Sequence, residues 1–210
     1  MIRRFARILL VPLFLLALPA AASAQTPAQT PDGPSAPVVR LSDTLLDAMQ
    51  NADQLGFDGR VDLLGPVLTD TFAFDQMARL VLGPEDFDGL DAATRARYVD
   101  AFTAMSIAVF AGRFDGYSGQ QFQYGGEQEI RPGQVLVTTV LSAPERRSVN
   151  IEYLMRQFSG EWRVLDVFLD RRVSEVARQR SEFAAVYHRS GIEGLITEIE
   201  ANTARQREGS

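Results

Sequence analysis

Few side chains in this chain could do chemistry, and their spacing limits what that chemistry would be. There is one histidine, His188, and no cysteine, which leaves too little for a zinc site of the usual kind and nothing for a thiol nucleophile. A Ser-His-Asp relay would have to recruit His188, which sits in the surface-like run YHRSG and reads as a solvated residue. Ser174 stands where a helix begins, so it reads as an N-cap. No GxSxG, HExxH or Walker A pattern occurs. Gly112, Gly125 and Gly126 have loop chemistry without the context of a phosphate loop. The acid of interest is Asp166. It alternates with Trp162 and Val164, which places it on the apolar side of its strand, where a carboxylate has to be paired or hydrogen-bonded. Arg180 is the expected partner in a structural ion pair. Acid–base catalysis by Asp166 is the enzymatic alternative. No catalytic set and no cofactor follows from the residues.

Ligand binding accounts better for the apolar inventory. Val149, Ile151, Tyr153 and Met155 share one strand face, and Val135 and Val137 share another. Phe72, Phe74, Met77, Phe102, Phe110 and Tyr117 are available from the helical side. The chain holds thirteen phenylalanines, more than a core of this size demands. Together they can line a cavity between sheet and helices. Acyl chains buried there contribute about 0.8 kcal/mol per CH₂, gross.

The elements that must position these residues are legible in outline. Val39, Leu41, Leu45, Leu46 and Met49 recur at helical spacing, with Ser42 as the expected N-cap. A second helix is expected from Arg60 to Phe72, with Pro66 limiting or bending it. A third spans Phe74 to Leu82 and stops at Gly83-Pro84. Asp91 caps a long helix that runs to about Phe114, with Tyr98, Phe102, Met105 and Val109 as its apolar stripe. Strand character follows over Tyr117 to Gln128, Val135 to Leu141, Val149 to Phe158 and Trp162 to Leu169. Short loops between them make the sheet antiparallel. Helical spacing returns in Val173, Val176, Phe183 and Tyr187. A capping-box pattern at Ser190 and Glu193 then opens a second short helix carrying Ile192, Leu195, Ile196 and Ile199. The expected fold is α+β: one domain with a twisted antiparallel sheet of about four strands packed against several helices.

Met1 to Ala24 reads as an export signal. Arg3, Arg4 and Arg7 precede a short apolar run that ends at Ala22-Ser23-Ala24, a small-residue cleavage site. Gln25 to Pro37 reads as a Pro/Gln/Ala-rich disordered tether, and residues 38–207 as the domain. Removing that leader takes the formal charge from -6 to about -9. Every basic residue is arginine. An acidic chain with scattered arginines is a poor nucleic-acid binder and is repelled by an anionic bilayer. It would therefore meet membranes through partner proteins.

The ordered set Tyr153, Trp162, Asp166, Ser174, Arg180, Phe183 and Gly191 resembles the MlaC family of periplasmic phospholipid-binding proteins, also called the toluene-tolerance or auxiliary-transport family. Phe74-Asp75, Met77-Ala78-Arg79, Leu82-Gly83, the helix from Arg97 to Phe102, Tyr117 and the strand Val137 to Val140 extend the resemblance over nearly the whole mature domain. It implies a non-enzymatic, monomeric carrier built as an NTF2-like or cystatin-like cone with a lipid cavity. It also implies partners: an inner-membrane MCE/ABC transporter complex and an outer-membrane lipoprotein complex, between which phospholipid is shuttled. Tyr153, Val137 and Val164 would be pocket residues on that basis. With the helical-side and strand residues above, the candidate lipid site is Phe72, Met77, Phe102, Phe110, Tyr117, Val137, Ile151, Tyr153 and Val164. After Asp166 the chain reads DVFLDRRVSEVARQRSEF, with Arg171-Arg172 in place of a glycine. That variant is closer to the hopanoid-associated branch called HpnM, which makes a hopanoid the alternative cargo.

Overall fold

The computed structural model describes residues 33–170 and 173–209. The expected leader, most of the expected tether and the Arg171-Arg172 pair lie outside them. Five helices come first: α1 (Ser35–Gln50), α2 (Ala52–Thr71), α3 (Phe74–Leu82), α4 (Pro84–Gly89) and α5 (Ala92–Arg113). Strands β1 (Gln121–Arg131), β2 (Gln134–Ser142), β3 (Val149–Phe158), β4 (Glu161–Leu169) and β5 (Val173–Ser174) follow, and α6 (Glu175–Glu208) ends the chain. The strands form one antiparallel sheet in the order β1-β2-β3-β4-β5. The fold is α+β, as expected, with a two-residue fifth strand beyond the four read from the sequence.

Local signals explain most boundaries. Asp91 caps α5 with Oδ1, which accepts from the N–H of Ala93 at 2.9 Å and of Thr94 at 3.0 Å. The Phe74–Leu82 helix and the Val149–Phe158 strand have the expected limits. Four expectations need correction. Ser42 does not cap α1; it lies inside the helix and its hydroxyl donates to the carbonyl of Val38 at 2.8 Å. The helix begins earlier because Pro34 and Pro37 sit at its start, where a missing N–H costs no helical bond. For the same reason Ser35 to Pro37, read as tether, is helical and Ser35 and Pro37 are buried. α2 begins at Ala52 and not Arg60, with its break at Gly56. Glu193 forms no local capping box: its carboxylate accepts from both terminal nitrogens of Arg97 at 3.0 and 3.1 Å, tying α6 to α5.

The breaks in α2 and α6 are the same device. Gly56 has φ 58 and ψ -172, and Gly191 has φ 65 and ψ -169, a region open essentially to glycine alone. Each is followed three residues later by a second glycine. A Cβ on Gly194 would stand 2.3 Å from the Cβ of Ser190, so the chain folds back too closely there for any side chain. The redirected second half of α6 buries Leu195, Ile196 and Ile199. Arg60 locks the first break. It is buried, and it donates to the carbonyls of Ala111 at 2.8 Å and Ala52 at 3.2 Å, joining the C-terminal end of α5 to the start of α2. A cation there also opposes the negative end of the α5 dipole.

The sheet register stacks apolar residues in rows across one face. Val135, Met155 and Val164 form one row; Val137, Tyr153 and Val167 form the next; Thr139, Ile151 and Leu169 the third. The two strand faces read separately from the sequence are thus a single surface. Beside the first row the connection between α2 and α3 closes over β4: Phe72 bridges Val164, and the Ala73 N–H donates to the Val164 carbonyl at 3.0 Å.

Candidate functional site

An apolar cavity of about 220 Å³ lies between the third-row end of this sheet face and the helices. Helical periodicity selects its walls. α5 presents Ser106, Val109, Phe110 and Arg113, and its C-cap residue Phe114 continues the same three-and-four spacing. α3 presents Phe74 and Met77, and α6 presents Glu175 and Gln179. The sheet contributes Leu141, Val149, Ile151, Tyr153, Val167 and Leu169, which alternation along β2, β3 and β4 places on one side.

An unbroken series of ring contacts runs from the core, past the cavity, to β1. Phe102 meets Phe74 edge-on at 6.4 Å, Phe74 stacks on Phe72 at 5.3 Å, and Phe72 meets Phe110 edge-on at 5.7 Å. Phe110 stacks on Phe114 at 5.9 Å, and Phe114 reaches Phe122 of β1 at 6.4 Å. Such offset and edge contacts hold rings at fixed separations. They give the cavity one rigid aromatic wall.

Of the nine candidate residues, five line this cavity: Phe72, Met77, Phe110, Ile151 and Tyr153. The other four stand elsewhere, each for a physical reason. Phe102 is fully buried against Tyr98 and Phe74, on the side of α5 that packs into the core. Val164 and Val137 are fully buried in the first two rows of the sheet, where the α2–α3 connection and helices cover them. Tyr117 is 47% exposed in the Gly-rich link between α5 and β1. The sequence reading had Val109 only as part of the α5 stripe and missed Arg113 and Phe114, which that stripe could have shown by continuing past Phe110. It also missed Leu141, Val167 and Leu169, which only the strand register identifies.

Asp166 is not in the wall. A β-bulge in β4 pairs Val164 with Met155 but Asp166 with Leu154. Met155 and Leu154 are adjacent and face opposite ways, so Asp166 and Val164 are on opposite faces despite their alternate numbering. The expected Arg180 pair is not formed. Asp166 accepts from the Ser174 hydroxyl at 2.6 Å and from the N–H groups of Val167 at 2.8 Å and Val176 at 3.1 Å. Ser174 in turn accepts from the Ala177 N–H at 2.9 Å, capping α6 as expected. Arg180 instead reaches toward Gly83, with Nη2 3.5 Å from where a Cβ on that glycine would stand. Asp166 therefore anchors the start of α6 to β4. Asp166→Ala should destabilise the fold by about 2–4 kcal/mol, because it strips three bonds from a buried carboxylate site. Asp166→Asn should cost less, since it keeps one acceptor oxygen; chemical denaturation of both variants checks the order.

Tyr153 is the polar group in the sheet wall. It is buried with its hydroxyl beside Thr139, and burial pushes its phenol up to about 12. Tyr98, whose hydroxyl donates to the Ala78 carbonyl at 3.2 Å, is also raised by burial. Phenols raised in the folded state stabilise it fully below about pH 10, and that stability is lost as pH climbs through the folded value. Thermal melts should therefore fall between about pH 10 and about pH 12, with Tyr153 contributing on the order of 3 kcal/mol. Tyr153→Phe should flatten part of that fall.

His188 is exposed on α6 beside Tyr187. Among the described residues no group of three or more His, Asp or Glu side chains is placed to hold a metal ion, and no helix is long and apolar enough to cross a membrane.

No curated protein matches the sequence. Among solved structures, the phospholipid-binding protein of Ralstonia solanacearum, determined in complex with a phospholipid, has the same fold. It aligns with a TM-score of 0.71 at 16% identity, over 82% of this chain and 97% of that one. The family model described as MlaC protein matches residues 39–201, which run from α1 through most of α6. The chain belongs to the MlaC family.

Proposed function

We propose that this protein is a periplasmic lipid carrier that holds the acyl chains of a phospholipid in the cavity between α3, α5, α6 and the sheet. The observation that carries this reading is the cavity itself: a largely apolar space inside a MlaC-family domain. The phospholipid held by the structurally similar Ralstonia protein supports it. Each methylene moved from water into such a space contributes about 0.8 kcal/mol before costs, so affinity needs no reaction and no cofactor. The binding residues on this reading are Phe72, Met77, Phe110, Ile151 and Tyr153, joined by Phe114, Val149 and Val167. A cavity of about 220 Å³ is below the roughly 300–1,000 Å³ usual for small-molecule sites. A two-chain lipid therefore requires the wall to yield or the chains to extend through the mouth.

On the same reading Met1 to Ala24 is a cleaved export signal, residues 25–32 link it to the folded domain, and lipid passes between inner- and outer-membrane protein complexes. The test is direct. The chain from Gln25, produced in the periplasm, is examined by native mass spectrometry with lipid extraction. The expected result is one phospholipid per protein. A hopanoid would replace the cargo and keep the carrier. A lipid-free mass that persists after exposure to phospholipid and hopanoid vesicles would overturn the reading.

A further inference from the structure

Most polar groups that border the cavity already have their hydrogen bonds. The Ser106 hydroxyl donates to the Phe102 carbonyl at 2.8 Å. Glu175 holds the Arg178 guanidinium through Nε and Nη2 and accepts from Gln179 Nε2 at 3.0 Å. Arg113 is exposed and keeps its water. Tyr153 is the exception. Its side chain lines the cavity and the residue is 2% exposed, yet its hydroxyl makes no hydrogen bond of ordinary geometry among the described residues. Its polar neighbour is the Thr139 hydroxyl, whose oxygen is sealed from solvent and has no partner of good geometry either. The Tyr153 oxygen is not sealed in that way. The space its ring borders is the cavity, so the surface the oxygen keeps is open to whatever the cavity holds.

Two adjacent hydroxyls carry two O–H donors. A bond from Thr139 to the phenol oxygen uses one, and the phenol proton is left without an acceptor in an apolar wall, a costly and uncommon arrangement. The missing partner is an acceptor oxygen on the ligand. In a phospholipid the phosphate oxygens are charged and belong in water, whereas the neutral acceptors joined directly to the chains are the ester carbonyls. We propose that Tyr153 is the ester-recognising residue of the cavity: its hydroxyl donates to a carbonyl oxygen of the bound lipid, so the site prefers ester-linked to ether-linked chains. A site built to hydrogen-bond a group rejects the analogue that lacks it, because its own polar atom is then left unpaired. Strand register gives the depth. Thr139 lies one same-face repeat, about 7 Å, inside the row formed by Leu141 and Val149. The glycerol end of the lipid is drawn about that far into the cavity, with the phosphate left at the mouth. The proposal rests on the carrier reading and specifies its cargo.

The test is competitive loading of the lipid-stripped protein from vesicles that mix diester and diether phosphatidylethanolamine of identical chain length, read by native mass spectrometry. Wild type should take the diester about fivefold over the diether, the scale of one neutral hydrogen bond. Tyr153→Phe should bring that ratio to within about twofold. Thr139→Val leaves the phenol its proton and should keep the preference; losing it there would hand the donor to Thr139 and overturn the assignment. Infrared spectra of the loaded protein give an independent readout that a merely structural tyrosine would not move. The ester carbonyl stretch should lie at lower frequency in wild type than in Tyr153→Phe. If Tyr153→Phe does not fold, wild type decides alone: an ester band without a hydrogen-bonded component overturns the proposal. Equal uptake of the two lipids by wild type, or an unchanged ratio in folded Tyr153→Phe, overturns ester recognition and leaves the carrier standing. If wild type takes up neither lipid, both readings fail.

Discussion

Val167→Trp is expected to yield a folded protein that has lost its lipid. Val167 is half-buried on β4, opposite Tyr153, with its side chain on the cavity wall. An indole there extends into empty space, so overpacking, which costs roughly 1–3 kcal/mol in a filled core, is largely avoided. It displaces ligand instead. Excluding about four methylenes removes on the order of 3 kcal/mol of binding, or roughly a hundredfold in affinity. Val137→Trp is the control. Val137 belongs to the same row but is fully buried, and a tryptophan there has no void to enter. It should unfold the domain or prevent its accumulation. Lipid content of the purified variants, together with their melting temperatures, separates the outcomes. Undiminished lipid in folded Val167→Trp would remove the cavity assignment.

Phe102→Ala should cost about 3–5 kcal/mol of stability, the range for a fully buried aromatic, and lower the melting temperature by about 10 °C or more. Its ring packs against Tyr98 at 6.3 Å and Phe74 at 6.4 Å, so its loss leaves a hole that two fixed neighbours cannot fill. Phe110→Ala, two turns further along α5, should cost less, because Phe110 is only partly buried and borders existing space. Its effect should fall on lipid retention. Thermal melts alongside lipid quantification decide the contrast; equal destabilisation by the two substitutions would contradict it.

These two phenylalanines show where sequence reading stops. Both lie on α5, and both are apolar residues at helical spacing. Phe102 faces α3 and the core; Phe110 faces the cavity. The spacing that makes each a buried-face residue carries no information about whether the space opposite is filled. Asp166 makes the same point for strands. Its alternation with Val164 is correct as numbering, but the bulge in β4 moves it to the other face, and a bulge is an agreement between two strands rather than a property of one. Gln179 was invisible for a third reason. A glutamine on a helix is ordinarily solvated, and only packing of α6 against α5 shelters it.

The sequence by itself determined the order of the main elements, though not α4 or β5, together with the α+β class, the meander and the poverty of catalytic groups. Each of these depends on neighbours close in the chain: the Asp91 cap, the three-and-four spacing of α5, the short turns between strands, the single histidine and the absence of cysteine. The tertiary structure alone decided where the void lies and which aromatics border it. Those facts depend on strand register, on a bulge and on the redirection of α6 at Gly191, where residues distant in the chain come together. A cavity is space that no residue fills, and that absence is set by the packing of the whole domain.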